Sequence, residues 1–284
     1  SCILDPLTQP LPFTPFKDFT GRSINEINLY STEMSSALCS IDRVSASANM
    51  NNRLSEAIVE AYKSTNGAPI SFELMLKCYQ SRMKDANNDD SISSVLKQLV
   101  NAHIFESEDK VSLIDDSYII KMDGYPKDGP IAKAIVYFLM SKLNNIYELL
   151  DKQAVNDEVV QIRHFSIIDE AHYMLDFDNR PLRNLIAVGR NKGLSIILAT
   201  QNMSSFKSKG FDFYANAQYP LIMKQQTIDD KVIKDLFGVS GQELQEIRTA
   251  IAGLQKGELI IKDQMAFALG MGNKYKKINV THLI

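Results

Sequence analysis

In the stretch "HFSIIDEAHYML", a mostly apolar, β-prone run from Phe165 to Ile168 is followed at once by two carboxylates, Asp169 and Glu170. Open parallel sheets bind ligands at the carboxyl ends of their strands, so acids at that point are directed at a ligand rather than a core. Two consecutive acids there suit nucleotide hydrolysis. The first can hold a magnesium ion through water while the ion bridges phosphates, and the second can polarise the attacking water. The next apolar run, Ser195 to Ala199, ends in Thr200 and Gln201. Polar groups at the end of a neighbouring strand would meet the same nucleotide, and the Gln201 amide can reach its γ-phosphate or the attacking water. Between the two runs lies "LRNLIAVGRNKG", with Arg183, Arg190 and Lys192. An arginine there can neutralise charge that develops in phosphoryl transfer. A cation at a helix end is also satisfied by the helix dipole alone.

These residues need elements to carry them. "FSII", "SIILAT", "QYPLIMKQ", "KGELIIKD" and "QMAFALGM" read as strands. "LRNLIAVGRNKG", "DDKVIKDLFG" and "SGQELQEIRTAI" read as helices, the last with Ser240 as its cap. Upstream, "SYIIKMDGYP" is a strand running into a Gly-Pro turn, and "GPIAKAIVYFLMSKLNNIYELLDK" is a buried helix with Pro130 in its first turn. Apolar strands alternating with helices predict an α/β fold, a mainly parallel sheet covered by helices. Residues from about Ile24 to Phe105 break that alternation. There Leu54, Ile58, Ala61 and Tyr62 recur at helical spacing, as do Ile92, Val95, Leu96, Leu99 and Val100, and Ser71 is placed to cap. The division is therefore residues 1–23 and 117–284 as the α/β core, with 24–116 as a helical insertion.

The 284 residues carry a net charge of −3 and 45% hydrophobic residues, so any nucleic-acid-binding surface must be local. Cys2, Cys39 and Cys78 form no CxxC pair and read as reduced thiols. No apolar run reaches the ~20 residues that span a bilayer, and no signal segment is seen, which makes the cytoplasm the expected compartment.

Taken together, the pattern resembles the HerA/FtsK superfamily of hexameric DNA-pumping ATPases, which includes conjugative coupling proteins. "SIIDEAHYML" looks like its Walker B strand, and "VGRNKGLSIILATQN" like its segment "GR…G…ILATQ". "ILDPLTQPLPFTPF" is similar to the strand and Pro-rich loop that follow the first helix of its motor core. The resemblance covers about two-thirds of the chain. It implies a RecA-like P-loop core with ATP and magnesium as cofactors. Asp169 would hold magnesium through water, and Glu170 would be the catalytic base. Thr200 and Gln201 would contact the nucleotide, Gln201 as the γ-phosphate sensor. Arg190, or in its stead Arg183, would be the finger reaching a neighbouring subunit's ATP. The implied partners are DNA, other copies of the chain in a hexamer, and further subunits of a DNA-restriction system of the phosphorothioate-dependent kind. Lys207 and Lys209, in the polar loop after Gln201, would face DNA phosphates, as pore loops of such pumps do, or belong to a loop that is simply solvated.

One departure is large. No G-x-x-x-x-G-K-[ST] occurs, so the backbone cradle and lysine that hold β- and γ-phosphates are missing. The abrupt start within a strand suggests a C-terminal part of a longer protein, with the cradle upstream and this part inactive alone. A motor that lost the loop, or a non-hydrolytic assembly module on the same fold, is the alternative. "DEAH" also matches the box of superfamily 2 helicases, whose later motifs are missing here, so His172 reads as incidental. "VSGQE" faintly matches a transporter signature but lies on the wrong side of the acids. His164 and His172 with the two acids lack the HExxH spacing of a zinc site.

Overall fold

The computed structural model describes the chain except residues 1, 42–45, 85–88, 157–158, 209–210, 264, 266–267, 269–273 and 281–284; the side chains of residues 156, 159, 205, 207, 208, 212 and 215 are also left undescribed. The elements follow in the order β1 (Cys2–Leu4), α1 (Ile24–Ile41), α2 (Ala48–Ser64), α3 (Phe72–Gln80), α4 (Ser91–Ala102), β2 (Tyr118–Ile120) and α5 (Pro130–Leu149). Then come β3 (Val155–Asn156), β4 (Val159–Val160), β5 (His164–Ile168), α6 (Arg180–Val188), β6 (Leu194–Leu198), β7 (Lys207–Ser208), β8 (Phe211–Asp212) and α7 (Phe213–Asn216). The last are β9 (Leu221–Met223), α8 (Asp230–Phe237), α9 (Gly241–Ala252), β10 (Glu258–Lys262) and β11 (Tyr275–Asn279). The fold is α/β, as the alternation predicts. The chain forms two compact units, Ser1–Ser166 with Asp176–Ile197, and Ile167–Leu175 with Leu198–Ile284.

In the first unit β1 pairs with β2 in parallel, Ile3 opposite Ile119. The helices over 24–116 form where their apolar stripes predict. Leu54, Ile58, Ala61 and Tyr62 of α2 are fully buried. The Ser71 hydroxyl accepts from Leu74 N–H at 3.2 Å and starts α3. α4 begins in a capping box, with Asp90 and Ser93 satisfying each other's backbone amides. An aromatic cluster of Phe16, Phe72, Phe105 and Phe138 joins this block to α5. Pro130 stands in the first turn of α5 as expected.

Helical periodicity does not foretell Lys133, which is 2% exposed on the buried face of α5. Its ammonium meets Asp176 Oδ2 at 2.9 Å, which satisfies a charge that burial would otherwise make costly. The same segment is tied down further along. The Ser36 hydroxyl donates to Asp178 at 3.1 Å, Asp178 N–H donates to Ser40 at 2.9 Å, and Arg180 pairs with Glu33 at 2.9 Å.

Between β5 and β6 the hydrogen bonds ascend together, as in a parallel pair: Arg163 N–H to Gly193 O at 2.7 Å, then Ala199 N–H to Ile168 O at 2.9 Å. Phe165, Ile167 and Ile197 are exposed on this pair, and Ile3 and Ile119 on β1–β2. The helix expected before β6 is shorter than its apolar pattern. α6 ends at Val188, and Gly189–Lys192 is a 3₁₀ turn closed by Gly193 at φ 82°.

The second unit has an antiparallel sheet in the order β11-β10-β9, packed against α8 and α9 around Val232, Ile233, Phe237, Ile251, Leu254 and Ile260. One expectation changes here, one is left untested, and one element is added. Ser240 precedes α9, but its side chain makes no capping hydrogen bond. Most of the strand expected over 264–271 lies outside the described residues. β11, "YKKIN", was not expected, because this edge strand carries lysines where alternation would show apolar residues. Lys276 pairs with Asp263 at 2.8 Å and Lys277 with Glu258 at 2.7 Å. Among the described residues no helix is long and apolar enough to cross a membrane.

Gly193 carries the entry into β6. A Cβ there would stand 2.8 Å from Gln161 O and 3.0 Å from Arg163 N, on a backbone that L side chains rarely adopt. Gly193→Ala is expected to lower the unfolding free energy by about 1–3 kcal/mol in urea titrations.

Candidate functional site

The chemistry predicted from the sequence gathers where β5 and β6 end. Ile168 O accepts from Ala199 N–H, and Ala171 N–H returns to Ala199 O at 2.8 Å, so the turn after β5 is stitched to the end of β6. The run after the acids, which reads as a helix, is only a 3₁₀ turn, Ala171–Met174. To enter it Glu170 adopts φ 50° and ψ 40°. A left-handed backbone costs a non-glycine residue roughly 1–2 kcal/mol, and such strain concentrates at functional sites. Glu170 N–H donates to Asp169 Oδ1 at 2.9 Å, which fixes the first acid's direction while it stays exposed.

The second acid is the centre of a small polar cluster. Gln201 Nε2 donates to Glu170 Oε1. Glu170 Oε2 is buried and has no hydrogen-bond partner among the described residues; the His172 Nδ1 lies 3.3 Å from it, outside hydrogen-bond geometry. That same nitrogen is 3.2 Å from Thr200 Oγ1. A buried acceptor left without a donor costs about 1–3 kcal/mol, so the arrangement is poised for a donor to turn towards Oε2. His172 therefore belongs to the cluster, contrary to its reading as incidental. Its signal is not in the "DEAH" spacing alone. It comes from Thr200, 28 residues later and brought alongside by β6.

The cations divide by their partners, all within the first unit. Lys192 donates to the Tyr147 and Glu148 carbonyls at 2.6 and 3.0 Å and so caps α5. Arg183 pairs with Asp178 at 3.3 Å. Arg190 is exposed on the 3₁₀ turn, and its guanidinium has no ion pair or hydrogen bond among the described residues. His164 stacks on Tyr147 with ring centroids 6.5 Å apart, and burial lowers its pKa. Lys209 and the side chain of Lys207 lie outside the described residues.

Among the described residues no cluster of three or more His, Cys, Asp or Glu side chains could hold a metal by itself. A magnesium ion that keeps its waters and leans on phosphates needs only one or two carboxylates, and the exposed Asp169 at the strand end fits that need.

No protein-family model and no curated protein sequence matches the chain. Solved structures do share its fold. VirB4 of Thermoanaerobacter pseudethanolicus superposes with a TM-score of 0.64 at 16% identity, over 99% of this chain and 76% of that one. The bacterial conjugative coupling protein TrwBΔN70, in an unbound form, gives 0.60 at 13% identity, over 99% and 74%. The plasmid coupling protein TrwB in complex with the non-hydrolysable ATP analogue ADPNP gives 0.57 at 13% identity, over 99% and 73%.

The left-handed Glu170 yields a stability test. Glu170→Gly relieves the backbone strain and gives up one exposed hydrogen bond. The variant is expected to unfold at the same urea concentration or higher, a gain of up to about 1 kcal/mol. A loss greater than about 1 kcal/mol would mean that the carboxylate contacts outweigh the strain.

Proposed function

We propose that the chain is the motor core of an ATP-driven, DNA-translocating ring ATPase of the HerA/FtsK type. The observation that carries this reading is the meeting of Glu170 and Gln201 at the adjacent ends of two parallel strands. The fold shared with VirB4 and TrwB supports it, as does the "GRNKGLSIILATQ" segment. In this mechanism Glu170 takes a proton from the water that attacks the γ-phosphate, and Gln201 reports that phosphate's presence. Asp169 would hold a magnesium ion, which would neutralise charge on the phosphates. Arg190, its guanidinium unpaired among the described residues, is the finger, and acts on ATP bound by a neighbouring subunit. Arg183 is already committed to Asp178.

Turnover by this route needs a phosphate cradle from outside these 284 residues, none of which form G-x-x-x-x-G-K-[ST]. DNA contact through the loop after Gln201, hexamer assembly and service in a restriction system take their support from the sequence resemblance, and a cytoplasmic location from the lack of a bilayer-length apolar run or signal segment in these residues. The competing reading, an assembly module that does not hydrolyse ATP, takes its support from the missing cradle.

Mixing subunits of the full-length protein separates these readings. Glu170→Gln is expected to reduce ATP turnover ~10²–10⁴-fold with binding nearly intact. Arg190→Ala subunits should be as inactive, since a finger supplied in trans is worth ~10³–10⁵ in rate. When the two are mixed, rings that set an intact Glu170 against an intact Arg190 should recover part of the activity. Full activity in Glu170→Gln would remove the proposed base, and absence of recovery would leave Arg190 acting within its own subunit or not at all.

A further inference from the structure

Glu170 has two carboxylate oxygens, and the structure treats them differently. Oε1 accepts from the exposed amide of Gln201, a flexible side chain that other acceptors can draw away. Oε2 is buried and faces the His172 Nδ1 at 3.3 Å. Nδ1 is also 3.2 Å from Thr200 Oγ1, so two oxygens crowd one ring nitrogen. Nδ1 lies outside hydrogen-bond geometry to Oε2, and a small turn of the ring would bring a proton on Nδ1 onto that oxygen. The Tyr173 ring packs against the imidazole, their centroids 4.1 Å apart.

We propose that His172 is a positioning residue for Glu170: backed by Thr200, its ring turns Nδ1–H onto Oε2 as Gln201 leaves Oε1, so that only Oε1 is freed for a water. This deepens the proposed function and rests on the assignment of Glu170 as base. In the state described here the base is latched, because Gln201 occupies the oxygen that would take the proton. An acceptor on the nucleotide's γ-phosphate competes for the Gln201 amide, and its arrival releases the latch. His172 keeps the freed carboxylate from swinging, and so links occupancy of the site to readiness of the base. The chemistry that recognises the trigger is a terminal phosphoryl group, because an amide N–H needs an anionic oxygen to leave a carboxylate.

The direct test reads the imidazole of His172 in the 284-residue chain by ¹⁵N NMR at a pH where the ring is neutral, assigned by loss of its signals in His172→Asn. The proton is expected on Nδ1. It should shift to Nε2, the form a free neutral imidazole favours, in Glu170→Ala and in Thr200→Val. An Nε2–H ring that neither substitution alters would overturn the proposal, independently of any ATPase assay. In the full-length protein, His172→Phe is expected to lower kcat about 10–100-fold with KM for ATP unchanged, as when a group that orients an active one is lost. His172→Asn, which keeps a donor where Nδ1 stands, should restore most of that loss. Equal kcat in His172→Phe and the parent would also refute the proposal, while Glu170→Gln in the same assay separately tests the base itself.

Discussion

The register of β5 on β6 is the constraint on which the candidate site depends. Ala199 N–H bonds to Ile168 O, and Ala171 N–H bonds back to Ala199 O. These two hydrogen bonds bring residues 169–172 beside 200 and 201. A slip of one residue would carry Thr200 and Gln201 about 3.3 Å along the strand direction, out of reach of His172 and Glu170. The left-handed backbone at Glu170 is what this close stitching requires. The chain must turn within one residue to send Ala171 N–H back towards β6.

Within the first unit the cations are satisfied in ways that fix its own elements. Lys133 is buried and meets Asp176, and Lys192 closes the last carbonyls of α5. Arg183 and Arg180 are spent on Asp178 and Glu33. Four cations near the segment are thus structural, and Arg190 is the exception, exposed with its guanidinium unpaired among the described residues. That contrast separates Arg190 from Arg183, which the sequence alone left as alternative candidates for the finger.

What was legible in the sequence was local. An apolar run closed by two acids, and a second run closed by Thr-Gln, mark strand ends whatever surrounds them. Asp169, Glu170, Thr200 and Gln201 could therefore be named from spacing. Stripes at helical spacing gave α2, α4 and α5 in the same way. What escaped depends on partners far along the chain. His172 acquires a role through Thr200 on the neighbouring strand, and Lys133 is tolerated in a core only because Asp176 returns to it 43 residues later. Lys192 looked like one more cation beside Arg190 until α5 supplied the carbonyls it caps. β11 hides because an edge strand replaces apolar alternation with lysines.

The claim at the centre is that Gln201 restrains Glu170 until a terminal phosphate draws it away. The most direct measurement is an experimental structure of the full-length protein bound to magnesium and a non-hydrolysable ATP analogue. The prediction is that the Gln201 amide has left Glu170 Oε1 and donates to a γ-phosphate oxygen, with a water in its place on Oε1. A Gln201–Glu170 hydrogen bond that persists with the analogue bound at this strand end, or an analogue bound elsewhere, would contradict the account.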